Sequence, residues 1–430
     1  MTITKTTDRP SGTAEGQDYR PAMAVMALLF FMWGFLTVLN DILVPHFKAI
    51  FDLNYTRVML IQFTFFFAYF LLSLPAGKIL DRIGYKRSLL AGLLVMGLGS
   101  LLFLPAAGQS SYPLFLTALF VLGSGMTVLQ VAANPYVAAL GRPETASSRL
   151  NLAQAVNSLG TTIAPWLGGL IILSGTLKSP EEVRQFSPEQ LLAYRVAEAS
   201  SVRLPYLGFA VILFLLAAGV ALFRLPRIQS IGQDGDDAVI RGRTYRSAWK
   251  VRHLVLGTIG IFVYVGAEVS IGSFLVNFFS QPDIGGLSEK TAARYVSYYW
   301  MGAMIGRFSG AALLQRLRPG KMLGLAALTA CLLVCATVLL QGPLAMWTII
   351  CVGLCNSIMW SNIFTLAIDG LGRLTSQGSS ILVMAILGGA VVPVAQGALA
   401  DTIGIHLSFL LPAACYLYII YYGFRGHRHA

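Results

Sequence analysis

Gly77-Lys78-Ile79-Leu80-Asp81-Arg82-Ile83-Gly84-Tyr85-Lys86-Arg87 places five charged residues at the junction of two apolar blocks, 57–80 and 88–107. Each block reaches the ~20 residues that an α-helix needs to cross a bilayer. The charged turn between them therefore reads as the end of one span and the start of the next. Each residue type has a part in such a corner. Gly77 lets two helices approach closely, and Gly84 turns the chain. Asp81 can meet the positive N-terminus of another helix, and Lys78, Arg82, Lys86 and Arg87 hold the turn on one side of the membrane.

Outward from this corner the same pattern repeats. The chain has 430 residues, 56% hydrophobic and only 12% charged, against roughly a quarter charged in a soluble domain. That is too little charge to cover the surfaces of the two or three soluble domains this length would otherwise form. A soluble enzyme, a disordered chain and a disulfide scaffold are excluded on these grounds. Apolar blocks run 22–44, 57–80, 88–107, 112–139, 152–174 and 205–223, then 253–279, 291–313, 322–340, 344–368, 378–400 and 407–424. The expected fold class is an all-α membrane protein with twelve transmembrane helices in two sets of six.

The expected organisation is a tail at 1–21, a first bundle at 22–224, a linker at 225–252, a second bundle at 253–424 and a tail at 425–430. The first 21 residues lack an apolar core, so no signal peptide is expected there. The linker holds Gly-Gln-Asp-Gly-Asp-Asp at 232–237 and ends in basic residues. Counted by loop, 23 Lys and Arg, with Arg307 among them, fall on the side of the two tails and eight on the other. This predicts cytoplasmic termini, with 175–204 as a long external loop. In that loop Ser179-Pro180-Glu181-Glu182 and Ser187-Pro188-Glu189-Gln190 each read as a capped helix start. The net charge of +12 is distributed between spans, so no nucleic-acid partner is expected; the lipid bilayer is. The five cysteines, Cys331, Cys335, Cys351, Cys355 and Cys415, lie inside apolar blocks without metal-ligand spacing and read as small hydrophobes.

Polar residues inside the blocks carry the functional signal. The third, sixth, ninth and twelfth blocks contain no Asp, Glu, Asn or Gln. The others hold Asn40 and Asp41, Gln62, Gln130 and Asn134, then Asn151, Gln154 and Asn157 at i, i+3 and i+6 on one face. Further on come Glu268 and Asn277, Asn356 and Asn362, and Gln377 and Gln396. Eight helices around a water-filled cavity, backed by four lipid-facing supports, would produce this distribution. Only Asp41 and Glu268 place a carboxylate well inside a span, where insertion costs roughly 2.5 to 3.5 kcal/mol. No Lys or Arg is expected at comparable depth, so both acids are expected to face water and to bind and release a proton or sodium ion.

The turn at 77–87 resembles the G-x-x-x-D-R-x-G-R-R signature of the major facilitator superfamily, with Tyr85-Lys86-Arg87 at its last positions. Gly306-Arg307, followed by Arg316, Arg318, Gly320 and Lys321, resembles a degraded copy. Asn40-Asp41-Ile42-Leu43-Val44-Pro45, Ala132-Ala133-Asn134-Pro135, the run from Arg149 to Ser158 and the run from Tyr264 to Phe274 are similar to the fucose–galactose–glucose symporter family. The match is nearest its bacterial glucose/galactose branch. The resemblance implies two pseudo-symmetric six-helix bundles with a substrate site between them, in the bacterial inner membrane. It makes Asp41 the coupling carboxylate and Gln154 and Asn157 sugar contacts. The fucose transporters carry an acid in the fourth helix where this chain has Gln130, which leaves Glu268 as the candidate second acid.

The expected function is import of a hexose with a proton or sodium ion by alternating access. Asn and Gln amides both donate and accept, as sugar hydroxyls do. Asn40, Gln62, Gln130, Asn134, Gln154, Asn157 and Asn362 are therefore the sugar-binding candidates. Trp33 and Trp360, on cavity-lining helices, could each offer a plane to the sugar's apolar face. Gly77, Asp81, Arg82, Gly84, Lys86, Arg87 and Arg307 form the candidate gating motif. No cofactor is implied, no metal site is expected beyond sodium near Asp41 or Glu268, and a monomer is expected. The alternative is a proton-coupled drug or metabolite exporter, which calls for a more apolar cavity. An enzyme is not expected, since the polar segments hold no nucleophile–base pair or phosphate loop.

Overall fold

A computed structural model describes residues 19–51, 55–109, 111–171, 203–226 and 245–428, with isolated positions between 186 and 194; side chains at 38–62 and 165–171 lie outside the described set. Among the described residues every regular element is helical. The first half of the chain folds as α1 (Arg20–Phe51), α2 (Tyr55–Gly108), α3 (Tyr112–Ala139), α4 (Ala146–Ile171) and α5 (Arg203–Leu222). A short α6 (Tyr245–Ala248) precedes α7 (Arg252–Phe279), α8 (Glu289–Leu313), α9 (Pro319–Leu339), α10 (Gly342–Asn356) and α11 (Met359–Ile368). Then follow α12 (Thr375–Met384), α13 (Gly388–Ile403), α14 (Ile405–Ser408), α15 (Leu410–Tyr421) and a π-helical turn, Tyr422–Gly426.

The second and third blocks form one continuous element, α2, broken at Gly84, whose φ of 76° and ψ of 173° lie in a region essentially reserved for glycine. That is the corner the charged turn called for. The tenth block divides into α10 and α11, and the eleventh into α12 and α13. Nine stretches among the described residues are long and apolar enough to cross a bilayer, and one of them, Phe63–Gly108, contains two spans. Absent from the nine are α4 and α8, though they run 26 and 25 residues. These two carry the polar stripe Asn151-Gln154-Asn157 and the cations Arg294 and Arg307. A helix this polar can cross only with that face against protein or water. Counted with them, the spans number twelve.

The four blocks without amides or acids lie outermost, exposing Leu94 and Leu98, Leu207 and Leu215, Leu325 and Leu332, and Leu410 and Leu417. Between the halves, α4 packs on α8 and α2 on α12. In span order these contacts are fifth on eighth and second on eleventh, which exchange when the halves exchange. Hydrogen bonds across this seam concentrate toward the face that carries Gly84. Ser147 Oγ meets Thr365 Oγ1 at 2.5 Å, Ser148 Oγ donates to the Ala311 carbonyl at 2.6 Å, and Asn151 Nδ2 to the Arg307 carbonyl at 2.7 Å. Ser379 Oγ adds a bond to the Val131 carbonyl at 2.8 Å.

In the loop between the fifth and sixth spans, Ser187 and Gln190 exchange the reciprocal bonds of a capping box, at 3.2 and 3.0 Å. The companion start at 179–182 lies outside the described residues. Cys331 and Cys415 are buried as small hydrophobes, whereas Cys351 is exposed on α10.

Candidate functional site

Midway along the seam lies a cavity of about 220 Å³. From the first half it is lined by Trp33, Tyr69, Gln130 and Gln154, with Phe65 and Phe66 beside them. The Gln130 Nε2 donates to the Tyr69 hydroxyl at 2.5 Å, while its buried Oε1 has no hydrogen-bond partner among the described residues. The free lone pairs on this wall are thus neutral acceptors held by helix packing.

The second half contributes Tyr264, Glu268, Arg307, Trp360 and Ser361. Arg307 Nη2 lies 3.7 Å from Glu268 Oε1, and the two side chains are 15% and 14% exposed. Through Nη1 the same guanidinium donates to Ser158 Oγ on α4, across the seam. A fork-shaped cation can reach both groups at once where a lysine could reach one. Behind Glu268, the Tyr264 hydroxyl donates to the Asn356 carbonyl at 3.1 Å. The Asn356 amide in turn donates to Tyr299 at 2.8 Å and accepts from Tyr416 at 2.7 Å. Trp360 stacks on Phe364, with centroids 5.0 Å apart and planes 13° apart.

Two expectations need correction here. Glu268 does have a cation at its own depth, because α8 runs unbroken past position 307 and turns Arg307 toward α7. For the same reason Arg307 belongs to the cavity and not to a loop copy of the charged turn; the second-half counterpart of that turn lies beyond Leu313, where α8 ends.

Of the residues singled out from the sequence, Gln130, Gln154, Glu268, Trp360 and Trp33 come together at this one cavity. Asn157 does not reach the lining. Its amide donates to the Phe30 carbonyl at 2.7 Å, where α4 crosses α1 so closely that a Cβ on Gly34 would collide with it. Asn134 and Asn362 are fully buried off the lining, without side-chain partners among the described residues, at depth in the fourth and tenth spans. Asn40 and Asp41 lie on α1 and Gln62 on α2, and their side chains fall outside the described residues. At the charged turn, Asp81 sits at the N-terminus of α12, accepting from Ser376 Oγ and, at 2.8 Å, from Gln377 Nε2. Lys86 Nζ donates at 2.7 Å to the Ala221 carbonyl in the last turn of α5. Gly77 is buried, and Arg82 and Arg87 are exposed.

The sequence reading missed the hydroxyls. Tyr69 and Ser361 gave no signal, and Ser158 and Tyr264 stood only as the ends of family-like runs, since a hydroxyl within a span is most often spent on a nearby carbonyl, as serine is on the preceding turn.

Fold and cavity together define a class: a polytopic helical membrane protein with a polar chamber between two packed halves. Residues 23–386 match the sequence profile of the Major Facilitator Superfamily, and the chain belongs to that superfamily and, within it, to the family of the bacterial fucose, galactose and glucose transporters. It is 53% identical over 416 residues to the glucose/galactose transporter of Brucella abortus, covering 97% of this chain and 96% of that one. It is 35% identical to the L-fucose-proton symporter of Escherichia coli, covering 96% and 94%. The crystal structure of the transporter FucP in the outward conformation superposes with a TM-score of 0.89 at 34% identity, over 96% of this chain and all of that one.

Proposed function

We propose that the protein imports a hexose, glucose- or galactose-like, together with a proton or sodium ion by alternating access. The observation that carries this is the composition of the seam cavity, where two tryptophan planes, two glutamine amides and an ion pair meet between the halves. Amides satisfy hydroxyls that both donate and accept, and flat aromatic faces suit the apolar face of a pyranose. A drug exporter would want a greasier chamber.

Asp41 is the coupling carboxylate on this reading and Glu268 the second acid. An ionised, empty carboxylate resists closure into a dry interface, whereas one carrying its ion does not. One positive charge entering with each sugar gains roughly 2.3 kcal/mol per 100 mV of membrane potential. The seam bonds near Gly84 hold that face shut while the other opens; breaking them is the price of the return stroke. The two bundles at 22–224 and 253–424 are the moving bodies, and 225–252 links them. With the Lys and Arg excess on the Gly84 face, that face and both termini are cytoplasmic, in a bacterial inner membrane. The working unit is the monomer, since the site is complete within one chain.

Asp41→Asn in proteoliposomes is the test. The variant is expected to exchange labelled glucose or galactose in counterflow but not to concentrate it against a gradient. Uptake against a gradient by Asp41→Asn would remove Asp41 from the coupling role. Failure of wild-type counterflow with every hexose in a panel would remove the sugar.

A further inference from the structure

Away from the seam, on the same face as Gly84, a second hollow of about 680 Å³ opens between the start of α9 and the end of the twelfth span. Its lining includes Arg318, Lys321, Arg425, His427 and Arg428 and no acidic residue. Among the described residues Arg318, Lys321, Arg425 and Arg428 have no ion-pair partner, unlike Arg142, which meets Glu144, and Arg307, which meets Glu268. Pro319 opens α9, and Arg318 before it provides no side-chain cap, so the first-turn N–H groups of a 21-residue helix add their positive end. The chain builds this shape deliberately. A π-helical turn at Tyr422–Gly426 carries Arg425 outward and lays the His427 ring against Gly320, while Gly423 meets the backbone of Gly324.

Placement of cations on one side of the membrane explains their sign but not their convergence on a hollow. The corresponding corner of the first half shows the difference. There Lys86 is engaged, donating to the Ala221 carbonyl at the end of the sixth span; the cations of the second corner are left open. The apolar surface below the hollow completes the pattern. Leu325, which lines it, begins an exposed stripe with Leu328 and Leu332 along α9, and Tyr421 and Leu417 expose a matching stripe one and two turns before Arg425. A basic hollow at the end of the spans, continued by two greasy stripes running into the bilayer, fits one kind of molecule.

We propose that this hollow binds the phosphodiester headgroup of an anionic phospholipid, with its acyl chains lying along the stripes of α9 and α15. Basic pockets between spans on the inner side select such headgroups by charge, and a zwitterionic lipid would gain far less. The full-length protein, purified in neutral detergent, can be assayed by native mass spectrometry with phosphatidylglycerol, phosphatidylcholine or inorganic phosphate added. Wild type is expected to retain phosphatidylglycerol and not phosphatidylcholine. The triple variant Arg318→Gln, Lys321→Gln, Arg425→Gln is expected to retain it at least tenfold less, and Arg252→Gln, an exposed cation elsewhere on the same face, to match wild type. Should the triple variant fail to fold, Arg318→Gln and Arg425→Gln alone should each weaken retention two- to threefold. Equal retention by wild type and the variants overturns the proposal. Inorganic phosphate displacing phosphatidylglycerol completely would also overturn it, because the hollow would then be a free-anion site without a lipid seat.

Discussion

The two walls of the seam cavity are made of different chemistry. The first-half wall, Trp33, Tyr69, Gln130 and Gln154, presents neutral groups whose positions are fixed by helix packing and one internal hydrogen bond. The second-half wall holds Glu268 and Arg307, a charged pair whose cation also reaches Ser158 on the opposite half. Neutral amides can take up or release hydroxyl partners without moving charge. An ion pair in a nearly dry site cannot be altered so freely, since each charge left alone is costly. Our reading is that the neutral wall recognises the solute and the charged wall reports which way the halves are closed.

The largest effect should follow from breaking the charged wall. Arg307→Met leaves Glu268 without its cation, and removal of one partner of a buried pair costs about 3 to 5 kcal/mol. The residual exposure of 15% and 14% places the expectation near the lower figure, about 3 kcal/mol. The variant should melt at a clearly lower temperature in detergent and lose hexose counterflow. Adding Glu268→Gln should restore the melting temperature but not transport. If Arg307→Met alone melts and transports as wild type, the two walls do not differ in the way argued. The neutral wall should respond more mildly and in another parameter. Gln130→Leu or Gln154→Leu removes one amide and leaves a sugar hydroxyl unpaired, about 1 to 3 kcal/mol, or roughly five- to 150-fold in affinity. Equilibrium binding of labelled hexose should fall in both, while the melting temperature of the empty protein holds in Gln154→Leu and drops modestly in Gln130→Leu, which also loses the bond to the Tyr69 hydroxyl. A change in melting without a change in binding would mean that these amides are structural, as Asn157 is at the α1 crossing.

The asymmetry of the walls also marks what the sequence could and could not disclose. Twelve spans, the corner at Gly84 and the four lipid-facing supports were all legible, because each depends on local composition or on a backbone conformation that only glycine adopts. The cavity amides were legible as well, since a glutamine within a span needs a polar neighbour wherever it lies. The pairing of Glu268 with Arg307 was not. The residues are separated by the last part of α7, a loop and most of α8, and whether Arg307 points to a loop or to α7 depends on the rotation of α8. Asn157 shows the converse. Its stripe with Asn151 and Gln154 correctly assigns it to the inner face of α4, but the three residues on that face have three different neighbours: the Arg307 carbonyl, the cavity and α1. One face is shared, but not one function.

The smallest effect tests whether the walls communicate. Ser158 is the first-half acceptor for Arg307, so Ser158→Ala removes that tie while leaving both walls otherwise whole. Hydrogen bonds to charged groups contribute about 1.5 to 3 kcal/mol. Here the Asn151 and Ser148 bonds remain in place beside it, and the guanidinium keeps Glu268, so the expected cost is lower, about 1 kcal/mol, or roughly fivefold in the balance between open and closed seam. Ala311 is 5% exposed beneath α4. In a protein whose native cysteines have been replaced, Ala311→Cys should react slowly with a maleimide and about fivefold faster once Ser158→Ala is added. Ser158→Thr, which keeps the hydroxyl, should restore the slow rate. An unchanged rate in Ser158→Ala would mean that Arg307 balances Glu268 and does nothing for the opposite half, and the charged wall would then be a static pair.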